Sequence, residues 1–360
     1  MSLFDASGIR KVFDLAGALK DPINLSIGQP DFPMPEEVQK AAIEAIQSGK
    51  NGYTPTQGIP QLRDELKRRV ADPFGHKDRD LFVAGSGTSS GILLSLASVV
   101  NPGDEVIIFD PYFVMYDSIT HVVGGTPVYV DTYPDFHIDL NKVADAITDK
   151  TKAILFNSPA NPTGVVASCE EVEGLAKLAE ERDILLISDE IYSRFCYEDF
   201  TSPAEFNSRT LVLDGFSKTY AMTGWRVGFA HGPSEIIQQM IKLQQYTFVC
   251  APHPGQYAAL AALDVDMTPQ IEEYKRKRDM LLEGISDLYE VSRPDGAFYI
   301  FPKAPSGSGE ELVLRGIKEH GLLSIPGNIF SRKDSHFRLS YAASEETIER
   351  GIEALRKLAR

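Results

Sequence analysis

Apolar positions along this chain follow two periods. In PEEVQKAAIEAIQS (35–48) they recur at three- and four-residue spacing, with acids in the first turn, and predict an amphipathic helix. From residue 81 they gather into short unbroken runs. LFVAG (81–85), EVIIF (105–109), PVYVD (127–131), KAILF (152–156), ILLIS (184–188) and LVLDG (211–215) predict strands. GILLSLASVV (91–100) and CEEVEGLAKLAEERD (169–183) predict helices between them. Strands apolar on both faces and separated by helices mean a parallel sheet covered on both sides, an α/β domain.

Beyond residue 275 the pattern changes. YKRKRDMLLEGISDL (274–288) predicts a charged amphipathic helix. YEVSRPDGAFYIF (289–301) and HFRLSYA (336–342) predict strands, and Ser344 fits the N-cap of a last helix. These read as a smaller α+β domain, which the N-terminal residues join. The expected division is 45–275 for the large domain, with 1–44 and 276–360 for the small one. No Pro/Ser-rich linker separates them, so a cleft between them is expected.

Composition narrows the function. The net charge of -15 argues against nucleic acid and anionic membranes as partners. Three cysteines, Cys169, Cys196 and Cys250, lie far apart with no CxxC pair. They predict free thiols in a reducing compartment, with no zinc site. The opening MSLFDASGIRKVFDLAG lacks a signal-like apolar run, and GILLSLASVV is too short to span a bilayer. A cytoplasmic protein is expected.

Five strings carry candidate chemistry. GSGTSSG (85–91), between a strand and a helix, suits a phosphate cup, and a flexible loop fits equally. NSPANPTG (157–164) sets Asn161 at a strand's C-terminal end, where open α/β sheets bind ligands; a proline-rich turn explains it as well. SDEIY (188–192) ends an apolar strand with two acids, of which Asp189 could hold a protonated ring nitrogen or simply cap the strand in water. DGFSKTYAMTGWRVGF (214–229) buries Lys218 among small and aromatic residues, with Arg226 eight positions on. That lysine suits an imine with a carbonyl, or snorkels from a core. In FRLSYA (337–342), Arg338 suits a carboxylate ligand or an interdomain ion pair. Taken together they meet the needs of pyridoxal phosphate.

Seven strings, in order, carry a resemblance: SIGQPDFPMPEEV (26–38), YTPTQGIPQLR (53–63), VNPGDEVIIFDPYFVMY (100–116), NSPANPTG, SDEIY, SKTYAMTGWRVGF (217–229) and FRLSYA. Over nearly its whole length the chain resembles the class I/II aminotransferases, fold-type I pyridoxal-phosphate enzymes similar to aspartate aminotransferase. The resemblance implies a mostly parallel sheet of the seven-stranded type. It implies amino transfer from an L-amino acid to a 2-keto acid, ping-pong, through an aldimine on Lys218. Asp189 would pair with the ring nitrogen, Asn161 and Tyr192 with the phenolic oxygen, and Phe113 would stack on the ring. Thr88, Ser89 and Arg226, with Gly87 nearby, would hold the phosphate. Tyr53 would reach the phosphate of the neighbouring subunit, which implies a homodimer. Arg338, Gly28 and Asn161 would bind the substrate, and no metal is implied.

The chain departs from the family at Gly215, where many members carry a phosphate-binding serine. The same motifs serve β carbon–sulfur lyases, a rival reading. Regulators built on this fold carry an N-terminal DNA-binding domain, for which the start of SIGQPDF at residue 26 leaves no room. Residues 227–275 contain no arginine for a second carboxylate, which favours a neutral or aromatic side chain.

Overall fold

The computed structural model describes residues 21–360. A seven-stranded sheet organises most of them. Its strands are β1 (Arg79–Gly85), β2 (Glu105–Asp110), β3 (Thr126–Asp131), β4 (Thr151–Asn157), β5 (Leu185–Asp189), β6 (Leu211–Gly215) and β7 (Val227–Pro233). They lie in the order β1-β7-β6-β5-β4-β2-β3. From β6 through β3 all neighbours are parallel, and β7 runs antiparallel to both β1 and β6.

The unbroken apolar runs have a direct cause. Val106 and Ile108 of β2 join Ala153 and Leu155 of β4 in one core, while Ile107, Ile154 and Phe156 face another. The central strands β2, β4 and β5 bury both faces along their middles, so their middle positions are apolar, while the edge strand β3 stays partly exposed. Helices Thr88–Val99 and Ser234–Tyr246 pack on the first face, Leu140–Ala146 and Cys169–Glu181 on the second. The last of these starts at a capping box, in which Ser168 and Glu171 each accept the other's backbone N–H.

A second core holds a three-stranded antiparallel sheet, Ile325–Pro326, Phe337–Ser340 and Tyr299–Ile300. Beside it Ile23–Asn24 pairs in parallel with Leu322–Leu323, which ties the start of the described chain to these strands. Residues 1–20 of the expected small domain lie outside the described residues. Ser344 caps the helix Glu345–Leu358 by accepting from the Thr347 N–H.

Two expectations change. The strand over 289–301 shrinks to Tyr299–Ile300. Pro294 has no N–H for a ladder, and its carbonyl instead accepts from buried Arg278. Both expected domain boundaries fall inside helices. Val38 and Ala42 of Glu36–Gln47 pack with Ala258, Ala259 and Ala262 of the large domain. Thr268–Ile285 starts before residue 276 and bridges both cores through Ile271.

Candidate active site

The chemistry collects at one edge of the main sheet, where the parallel strands end. There the chain leaves β1 for Gly87, β2 for Phe113, β4 for Asn161, β5 for Asp189 and β6 for Lys218, and enters β7 from Arg226. This edge is where open α/β sheets place ligands. The small sheet adds Arg338 from the strand Phe337–Ser340.

A candidate anion site lies at the start of the helix Thr88–Val99. Its N-cap is Gly87, with φ of 73°, and no side chain caps its free N–H groups. Arg226, itself left-handed, donates to the carbonyls of Thr223 (2.9 Å) and Ser86. Its guanidinium stands 3.4 Å from where a Cβ on Gly87 would lie. A Cβ on Gly228, in β7, would come within 2.7 Å of the Gly87 carbonyl carbon. The glycines thus let β7 press the loop against the guanidinium. The helix start, with Thr88, Ser89 and Arg226, lines one cavity, a set of donors that suits an anion.

Gly215 has a steric reason. Its Cβ would lie 3.0 Å from the Gly228 Cα and 3.2 Å from the Val227 carbonyl. A serine there would force β6 and β7 apart. Ser217, two residues on, is buried in the cavity wall instead.

Asp189 is only 3% exposed. Its Oδ2 accepts from the Tyr116 hydroxyl at 2.8 Å, and its Oδ1 accepts from the Ile191 N–H at 3.3 Å. Burial pushes its carboxyl up to about 6, against Tyr116, Ile191 and the charge of Lys218. Lys218 Nζ donates to the Gly28 carbonyl at 2.6 Å. Burial, then the positive charge of Arg338, lowers its ammonium to about 8.

Arg338 is 2% exposed and has no acid partner among the described residues. It donates to Asn161 Oδ1 (2.9 Å) and the Ser26 carbonyl (3.0 Å), while its Nε has no partner. The rings of Tyr299 and Phe330 flank it at 4.5 and 4.6 Å. Because Arg338 holds the Asn161 carbonyl oxygen, the Asn161 amide N–H groups are left for a ligand. Tyr192 and Tyr299 share a 2.8 Å hydroxyl–hydroxyl bond.

Gly28, Thr88, Ser89, Phe113, Asn161, Asp189, Tyr192, Lys218, Arg226 and Arg338 line a single cavity of about 250 Å³. Gly87 lies directly behind Arg226. Tyr53 lies elsewhere, on the surface and 86% exposed. The sequence reading missed Tyr116, Asn157, Ser217 and Tyr299 in the cavity wall. Tyr116 stands one helical turn after Phe113 in DPYFVMY, a spacing that could have shown it. Tyr299 had no local signal, because it arrives through pairing with Ser340.

The family described as aminotransferase class I and II matches residues 20–355. A probable aspartate aminotransferase of Methanocaldococcus jannaschii is 40% identical, covering 98% of this chain and 96% of the relative. Aromatic-amino-acid aminotransferase 2 of Thermococcus litoralis is 34% identical, over 99% of this chain and 97% of its own. The crystal structure of aspartate aminotransferase from Thermotoga maritima superimposes with a TM-score of 0.94 at 34% identity, covering 99% of this chain and 98% of that one.

Proposed function

The chain belongs to the class I and II aminotransferases, and we propose that its cavity binds pyridoxal phosphate with Lys218 as the catalytic amine. The residues present fit that group. An uncapped helix start with Arg226 suits a phosphate, and a buried lone carboxylate, Asp189, suits a ring nitrogen. Pyridoxal phosphate supplies, when bound, a carbonyl carbon for amine exchange and a protonated ring that draws electrons from the substrate Cα.

The chain's residues divide the remaining work. Arg338, in the cavity wall and without an acid partner among the described residues, would grip the amino acid's α-carboxylate with its guanidinium, with the Asn161 amide beside it. Asp189 holds a proton on the ring nitrogen by its negative charge. Tyr192 and Asn161 would hold the phenolic oxygen, and Phe113 would pack against the ring. Lys218, at about 8, is neutral in a usable fraction near neutral pH. Its free amine would stand in the cavity as the general base for the substrate's Cα proton. Two half-reactions move an amino group from an L-amino acid to a 2-keto acid.

One observation carries this reading. Arg338 is a buried guanidinium without an acid, facing Lys218 in the same cavity. An isolated buried charge is costly unless a ligand completes it. Arg338→Ala should keep the cofactor and weaken amino-acid binding by about 2–4 kcal/mol, roughly 30- to 1000-fold. Unchanged substrate affinity in that variant would remove the carboxylate role.

Besides Lys218, Arg226 and Arg338, no lysine or arginine among the described residues lines the cavity. That supports a neutral or aromatic substrate side chain. The relatives reported above are named aminotransferases, which favours amino transfer over carbon–sulfur lysis. Three free thiols support a reducing, cytoplasmic setting. Tyr53, too far out for its own cavity, supports a homodimer in which it serves the partner's phosphate site.

A further inference from the structure

We propose that Tyr116 is a positioning residue: it holds Asp189 ionised and turned to the cavity, and so keeps the proton on the cofactor's ring nitrogen. The inference rests on reading the cavity as a pyridoxal phosphate site.

The geometry leaves Asp189 few other supports. No lysine, arginine or histidine among the described residues forms an ion pair with it. Its backbone carbonyl is fixed by the Asn157 amide at 2.8 Å. Its carboxylate has one short bond, the 2.8 Å donation from Tyr116, and one long bond at 3.3 Å from Ile191. A buried carboxylate gains most from a donor that stays a donor. Tyr116 qualifies, because burial and then the Asp189 charge hold its phenol proton well beyond the usual tyrosine range.

The placement of Tyr116 is itself constrained. Phe113 is the N-cap of the helix Val114–Val122, and Tyr116 sits in its first turn. The two rings meet edge-on, centroids 5.7 Å apart at 83°. One short helix therefore carries both the ring plate and the donor for the acid.

The surrounding charges set the direction of the effect. Asp189 is faced by Tyr116, Tyr192, Lys218, Glu190 and Asp214. Burial raises its carboxyl, and Tyr116, Ile191 and Lys218 oppose it, while its charge in turn pushes Glu190 and Asp214 up. Removing the Tyr116 hydroxyl makes Asp189 more basic. The shared proton then retreats from the ring nitrogen to the carboxylate, and the ring withdraws electrons less well.

The test is Tyr116→Phe in the holoenzyme loaded with cofactor labelled with ¹⁵N in its ring. The ¹⁵N resonance reports the protonation of that nitrogen across pH. The wild type should stay protonated to higher pH than Tyr116→Phe, by about one pH unit. The variant's kcat should fall about tenfold, the size of one hydrogen bond to an ionised buried group, with KM for the amino acid nearly unchanged. Tyr116→3-fluorotyrosine keeps the shape and donates more strongly, so it should match or exceed the wild type. That variant also separates lost donation from a fold that fails. A yellow wild type and variants with one common ¹⁵N titration would overturn the positioning role alone. A wild type that takes up no cofactor would overturn this inference together with the reading beneath it.

Discussion

At the scale of single residues the account depends on charges held where water cannot help them. Lys218 keeps its amine beside Arg338 and among aromatic rings, 5.8 Å from the Tyr192 centroid and 5.9 Å from that of Phe298. Burial and the like charge both favour the neutral amine, and Asp189 opposes them. The sign follows: an ammonium at about 8, below the usual 10.5, leaves about a tenth of Lys218 neutral at pH 7. In the cofactor-free protein, Lys218 should react with acetic anhydride with a midpoint near pH 8, as read by mass spectrometry across a pH series. Arg338→Met removes the like charge and should raise the Lys218 midpoint. A midpoint near 10.5 in the unmodified chain would contradict the burial argument.

At the scale of elements, β7 shows what the sequence could and could not reveal. Six of the main strands announce themselves as apolar runs, five of them because both their faces are buried. β7 reads Val-Gly-Phe-Ala-His-Gly-Pro, with two glycines that break the run. Those glycines exist for close approach: a Cβ on Gly232 would lie 2.9 Å from Leu211, and one on Gly228 within 2.7 Å of Gly87. A pattern rule that scores apolarity is blind to a strand shaped by what presses against it. Much of the candidate site was legible because Asn161, Asp189 and Lys218 stand at or just past strands ending at one sheet edge, in a fixed order. The strand bearing Tyr299 was expected, but longer, and the place of Tyr299 in the cavity escaped, since it depends on pairing with residues some forty positions later. Gly228→Ala tests the close approach. Backbone atoms cannot yield as a flexible side chain can, so it should cost about 2 kcal/mol of stability. It should also weaken cofactor retention more than tenfold, because the anion loop must shift. Thermal unfolding and equilibrium dialysis would read the two effects, and a variant normal in both would refute the argument.

At the scale of the molecule, the expected small-domain boundary gives way to helices that join the two cores, and we place the division near Pro35 and Thr268. The cavity lies between those cores, with Arg338 from one and Lys218 from the other. Outside it, a surface region bears Tyr53 at 86%, Tyr246 at 85% and Val249 at 41% exposure. It is tied to the anion loop: Gln244 accepts from the Gly85 N–H (2.8 Å) and donates to the Thr56 carbonyl (2.7 Å). A homodimer formed through this face would bring each Tyr53 to the other subunit's phosphate site. Mixed subunits test that. Lys218→Ala and Tyr53→Ala should each be weak or inactive alone, and mixing should restore activity through hybrids that pair the intact Lys218 of one subunit with the intact Tyr53 of the other. No recovery, with a monomer in sedimentation, would exclude the arrangement. The central claim is tested most directly by the visible absorption spectrum of the purified protein before and after amino acids are added. The account predicts a yellow band that an amino acid from a panel spanning aspartate and the aromatic residues bleaches, and that a 2-keto acid restores. A protein that stays colourless with added pyridoxal phosphate and intact Lys218 would contradict it.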